Sequence, residues 1–141
     1  MKTTVNVCGV LFFCLVCCFV ISCNKGNENN SPNARIIGRW EKVGFATDDN
    51  SNGIIDQWER NSANTTITNM LEFKKDSTGK EYTTQAPDLG FRWYFGGDVS
   101  LYTIYNTGDT FTYKVLQLSG SDLHITTISK LGLSAYYYKK K

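Results

Sequence analysis

The chain has 141 residues, 41% hydrophobic, 13% aromatic and 20% charged, with a formal net charge of +2 at pH 7. That length supports one independent hydrophobic core, and the near balance of charges leaves no basic footprint for nucleic acid. The terminal Lys139-Lys140-Lys141 cluster reads as a solvated end.

From the start, Lys2 precedes an apolar run that includes Val10, Leu11, Phe12, Phe13, Leu15, Val16, Phe19, Val20 and Ile21. One positive charge followed by such a run predicts a secretory signal peptide; it is too short and interrupted for a membrane span, and no charged stop-transfer cluster follows. The run ends in Val20-Ile21-Ser22-Cys23, which resembles the lipobox of bacterial lipoproteins. The resemblance implies cleavage before Cys23 and acylation of that cysteine, with palmitate among the acyl chains. It also implies a lipid-anchored protein of the bacterial cell envelope, most simply the outer membrane. All five cysteines, Cys8, Cys14, Cys17, Cys18 and Cys23, lie in this leader or at its end. The mature chain then has no internal disulfide and no cysteine metal site, and its stability must come from packing. Between Asn24 and Ala34 no large apolar residue occurs, so this stretch reads as a flexible tether. The expected division is a signal peptide over 1–22, a tether over 23–34 and a domain over 35–141.

Within the domain, turn residues recur at short intervals between alternating segments. Ile36 to Phe45 reads as a first strand whose Gly38-x-Trp40 places an aromatic plug at one end of a small barrel. Ile67, Leu71 and Phe73 share a face; Asp76-Ser77-Thr78-Gly79 turns the chain; Lys80 to Gln85 returns. Phe91, Trp93 and Phe95 alternate with Arg92 and Tyr94, then Leu101 to Tyr105 follows the turn at Gly96-Gly97-Asp98. Phe111, Tyr113 and Val115 point one way while Leu116 and Leu118 take the opposite parity, which predicts a bulge. Strands from Leu123 and from Leu133 to Tyr138 complete a count of about eight, with no amphipathic helix of any length. A meander of this kind buries one face and removes its edges by closing, so the expected fold is all-β, an antiparallel up-and-down barrel; a β-sandwich is the rival.

Gly38-Arg39-Trp40-Glu41, the run from Met70 to Gly79, Phe91 to Phe95, and Tyr113 to Ser119 before Leu123 together resemble the lipocalin-like domain of Bacteroidetes lipoproteins. The likeness covers nearly the whole mature domain. It implies a barrel with a small calyx and an envelope location.

One loop carries a spacing with chemical content. From Asp48 to Glu59 the sequence matches the twelve-residue calcium loop, with ligands expected from Asp48, Asn50, Asn52, the Ile54 carbonyl, Asp56 and a bidentate Glu59. Gly53 supplies the sharp turn. The flanks depart from an EF-hand, because a strand enters the loop and no second loop pairs with it. The same residues admit a plainer reading, in which Asp56-x-x-Glu59 is a capping box on a short helix over 57–61 and binds no ion.

Other chemistry finds little support in the sequence. His124 is the only histidine and alternates onto the solvent face, and no serine or cysteine nucleophile has a base partner in the chain. Glu72, Glu81, Asp98 and Asp109 read as surface charge, so an enzyme is not expected. The aromatic stock is read first as packed core and second as a pocket lining, with Trp93, Tyr105 and Tyr113 as the ligand-contacting set. Small inward positions at Thr103 and Thr127, and a rim loosened by Gly96-Gly97, would leave the space. Two functions follow: a carrier for a small apolar or aromatic ligand with a calcium-binding loop, or a non-catalytic interaction lipoprotein with a filled interior that docks an envelope protein.

Overall fold

The structure, a computed structural model, describes residues 31–62, 69–97, 99–130 and 132–141. The expected signal peptide, Cys23, most of the tether and Ile67 lie outside the described residues. The chain enters through a short helix α1, Pro32–Ile36, capped by Ser31, whose hydroxyl accepts from the Ala34 N–H at 3.2 Å. Pro32 sits in the first turn, where no backbone donor is needed. The tether was expected to run to Ala34 and the first strand to start at Ile36. The chain is already helical at Pro32, because the Ser31 cap and a fully buried Ile36 repay the ordering of these few residues.

Nine strand segments follow: β1 Gly38–Thr47, β2 Arg60–Ser62, β3 Asn69–Phe73, β4 Thr78–Thr83, β5 Ala86–Gly96, β6 Ser100–Tyr105, β7 Thr110–Leu118, β8 Asp122–Ser129 and β9 Gly132–Lys140. A single 3₁₀ turn at Gln57–Glu59 leads into β2. From β3 to β9 each strand pairs antiparallel with the next, and β9 returns to β1 through Trp40 to Thr47. The other edge of β1 is shared, with Gly38–Glu41 on β3 and Gly44–Ala46 on β2. β2 and β3 thus occupy one place in the ring, and the result is a closed, eight-position up-and-down barrel. Closure leaves no long unpaired edge.

Alternation sorts the side chains as the barrel requires. Trp40, Phe73, Phe91, Trp93, Leu101, Leu123 and Ile125 are buried in one continuous core. Their rings meet edge-on, with Phe73 at 5.4 Å from Phe91 and 5.6 Å from Trp93 between centroids. Gly79 lets this happen: a Cβ there would lie 2.3 Å from Phe91 Cε2. The expected bulge in β7 is present, as a register shift between Val115 and Gln117. It leaves Val115 buried, turns Leu116 outward and returns Leu118 to the core.

The two ends of the barrel differ. At the end where β1 begins, α1 lies across the opening, and the indole Nε1–H of the fully buried Trp40 donates to the Ile36 carbonyl at 2.6 Å. Arg35 donates to the Leu118 carbonyl at 3.1 Å, and Lys140 Nζ to the Arg35 carbonyl at 3.2 Å. Trp40 is the plug that the sequence suggested. The opposite end, where β3 begins and β6 finishes, is open among the described residues.

Candidate functional site

Inside the open end is a cavity of about 380 Å³. Its walls come from alternate residues of nearly every strand: Lys42 of β1, Asn69 and Leu71 of β3, Glu81 of β4, Leu89 of β5, Tyr105 of β6, Phe111 and Tyr113 of β7, and Tyr136 and Tyr138 of β9, with Thr107 and Asp109 from the β6–β7 turn. The floor is the aromatic core. Phe91 meets Tyr105 at 5.4 Å between centroids, and Tyr105 meets Phe111 edge-on at 5.5 Å.

Glu81 is the electrostatic centre of this space. Its Oε2 accepts from the Tyr105 hydroxyl at 2.6 Å and its Oε1 from Asn69 Nδ2 at 3.2 Å. A carboxylate can only accept when ionised, so the Asn69 amide must present its nitrogen to Glu81. Burial pushes the Tyr105, Tyr113 and Tyr138 phenols up, and the Glu81 charge adds to each shift. These hydroxyls therefore stay protonated and keep their donor capacity at any pH the fold would meet. At the rim, Thr107 Oγ1 donates to Asp109 at 2.8 Å.

Of the three expected pocket residues, Tyr105 and Tyr113 line the cavity and Trp93 does not. Trp93 is 4% exposed, stands edge-on to Phe73 and Phe95, and donates its indole N–H to the Thr78 carbonyl at 3.0 Å. β5 runs from the open end to the plugged end, so its middle falls in the packed half, and Gly96-Gly97 lies beside the plug and not at the mouth. Thr103 is inward and buried as expected. Lys42, Asn69 and Glu81 were not anticipated. β4 misleads the eye because its aromatic faces out: Tyr82 donates to Glu72 at 2.5 Å on the outer surface while Glu81 faces in with Gly79. The parity of Glu81 with Gly79 was the available signal.

The Asp48–Glu59 loop is ordered by its own hydrogen bonds. Asp48 accepts from the Asn52 N–H at 3.0 Å and the Gly53 N–H at 2.7 Å, and Asn52 Oδ1 accepts from the Ile54 N–H at 2.8 Å. Gly53 has φ +80°, the conformation that favours glycine. Asn50 and Asn52 both donate to Asp56 Oδ2, at 3.2 and 3.3 Å. The buried Glu59 accepts from the Asp49 N–H at 3.0 Å and the Asp56 N–H at 2.8 Å. The second contact is the Glu59 half of the capping box, and the helix expected over 57–61 is a single 3₁₀ turn. Among the described residues no three His, Cys, Asp or Glu side chains form a group able to hold a metal. An ion here would draw on the Asn50 and Asn52 amides and on backbone oxygen as well.

The same loop overhangs the outer face of β7, β8 and β9, forming a cleft of about 910 Å³ lined by Ile54, Ile55, Leu116, Ile128, Leu133 and Tyr137 among others. Nearby, His124 stands edge-on to Tyr137 at 5.0 Å and is partly buried. Among the described residues no helix is long and apolar enough to cross a membrane. No family model, curated protein or solved structure matches the chain.

Proposed function

We propose that this chain is a lipocalin-like carrier of the bacterial cell envelope, anchored through acylated Cys23 and holding one small apolar or aromatic molecule in the open end of its barrel. The observation that carries the reading is the cavity itself. Eight strand positions give an interior that side chains can just fill, yet here only the plugged half is filled, and the other half keeps about 380 Å³ behind a tyrosine-rich wall. Rings that lined a solid core would have closed this space. The neutral aromatic probe N-phenyl-1-naphthylamine should show saturable fluorescence enhancement with the domain. Leu71→Trp, which builds bulk into the cavity wall, should abolish it. Enhancement that does not saturate, or that survives the filling variant, refutes the reading.

The loop adds a second element to this proposal, calcium binding. Its support is the spacing from Asp48 to Glu59 together with Gly53 at positive φ and the gathering of Asn50 and Asn52 around Asp56. Asp56 and Glu59 already serve backbone and amide donors, so an ion must share these oxygens with them or displace them. Affinity in the range of roughly 10⁻⁴ to 10⁻³ M follows, as in extracellular modules. The interaction reading has an observation of its own in the outer cleft, where Ile54, Leu116 and Ile128 are well exposed. Pull-down by the Leu116→Ser and Ile128→Ser variants, compared with the native chain, tests it: equal recovery of envelope partners removes it.

A further inference from the structure

Two opposite charges line the cavity without neutralising each other. Glu81 on β4 takes its hydrogen bonds from neutral groups, Tyr105 and Asn69, and among the described residues no cation lies within ion-pair distance of it. Lys42 on β1 lines the same space and likewise has no carboxylate partner among them. The two strands flank β3, so their backbones stand about 10 Å apart across two strand spacings. A charge kept from its natural partner inside a partly enclosed apolar space gives up interaction energy that a complementary ligand can restore.

From this arrangement we propose that the cavity selects a small zwitterion: an amino acid or short peptide with an apolar or aromatic side chain. This rests on the carrier reading above and specifies its ligand. The ammonium group would sit at Glu81, whose two oxygens have each accepted one hydrogen bond and retain lone pairs for more. Tyr113, Tyr136 and Tyr138 line the same space, and an aromatic wall beside a carboxylate suits a cation. The carboxylate of the ligand would sit at Lys42. Its side chain would fill the space against Leu71, Leu89 and Phe111. The rim carboxylate Asp109 adds negative charge at the entrance and so disfavours ligands bearing only a carboxylate.

Displacement of N-phenyl-1-naphthylamine by three molecules on one skeleton separates the possibilities: phenylalanine carries both charges, phenethylamine only the cation and 3-phenylpropionate only the anion. Phenylalanine should bind at least about tenfold tighter than either, since each end adds a charge-assisted hydrogen bond. Glu81→Gln removes the charge while its single carbonyl oxygen still accepts from Tyr105, and Asn69 can turn its otherwise unpartnered Oδ1 to accept from the new NH2. The variant should weaken phenylalanine and phenethylamine about tenfold or more while sparing 3-phenylpropionate. Lys42→Met should weaken phenylalanine and 3-phenylpropionate and spare phenethylamine. Circular dichroism and the melting temperature of each variant check that the barrel is intact. If the three compounds bind within twofold of one another, or each variant shifts all three alike, charge recognition is refuted while the carrier reading stands. If the neutral probe itself does not bind, both fall together.

Discussion

Substituting Gly79→Ala perturbs the interior by a single methyl group. Gly79 is buried on β4 opposite Phe91, and it has no positive φ, so alanine meets no backbone strain. The obstacle is space. The added Cβ would fall 2.3 and 2.4 Å from two Phe91 ring carbons and 2.6 Å from the Glu72 carbonyl oxygen, where ordinary contact begins at 3.4 Å. Something must move by about 1 Å. The Glu72 carbonyl belongs to the β3–β4 pairing and cannot yield without opening it. Phe91 is 2% exposed and wedged between Phe73 and Tyr105, both at 5.4 Å between centroids. Overpacking of this kind costs about 1 to 3 kcal/mol, and the reduced freedom of the unfolded chain returns about 0.4 to 1 kcal/mol. The net expectation is a loss of about 1 to 2 kcal/mol, read as a lower urea midpoint at unchanged slope. The displacement has one soft direction, towards Tyr105 and the cavity floor, so probe binding should weaken as well. Gly79→Ala with Phe91→Leu should recover part of the lost fit. If Gly79→Ala is as stable as the parent, the packing argument for this half of the barrel is wrong.

Trp40→Ala should cost about 3 to 5 kcal/mol, because it empties a fully buried site and removes the donor to the Ile36 carbonyl; an unchanged melting temperature contradicts the plug. Calcium at millimolar concentration should raise the melting temperature, and Asp48→Ala should remove the rise; a calorimetric titration without heat retires the loop as an ion site. His124 is held below the usual 6.5 chiefly by burial, with Arg60 and Lys139 adding to the effect and Asp122 opposing it. The unfolded chain therefore takes up the proton first as pH falls, so stability should decline on acidification through 6.5, and His124→Gln should flatten that part of the curve in urea titrations. Cys23→Ser should leave the protein soluble or its precursor uncleaved; a mature, tightly membrane-bound variant contradicts lipidation.

What could be read in advance followed from period and parity. Phe91, Trp93 and Phe95 face in because alternation is strict and the inward side is apolar, and Leu116 betrayed its bulge by breaking that rule. The plug was legible because Trp40 is too large to lie anywhere else on a strand that opens a barrel. The cavity residues were harder, because inside an open calyx the rule reverses: Glu81 and Lys42 occupy inward positions that a filled core would give to leucine. Placing Trp93 at the mouth failed for a different reason. Alternation assigns a face to each residue but not a height along the barrel axis, and height depends on register with β4 and β6, which no local pattern encodes. In the loop the spacing was legible, but the engagement of Glu59 with Asp49 depends on how β1 delivers the chain.

The seam of the ring lies between β1 and β9, where Trp40 pairs with Lys140 and the backbone N–H of Lys141 reaches the Arg39 carbonyl at 2.9 Å. A hundred residues separate these partners in the chain. The first strand waits for the last, and until β9 docks the β1 edge that it covers stays exposed. By sequence separation, local hairpins such as β5–β6 are expected to form before the seam. The same adjacency means that the two ends of the folded domain are already neighbours. A short linker from Lys141 back to the residues before Gly38 would make the ring continuous, and new ends opened at the exposed β6–β7 turn would convert the slowest pairing into a hairpin.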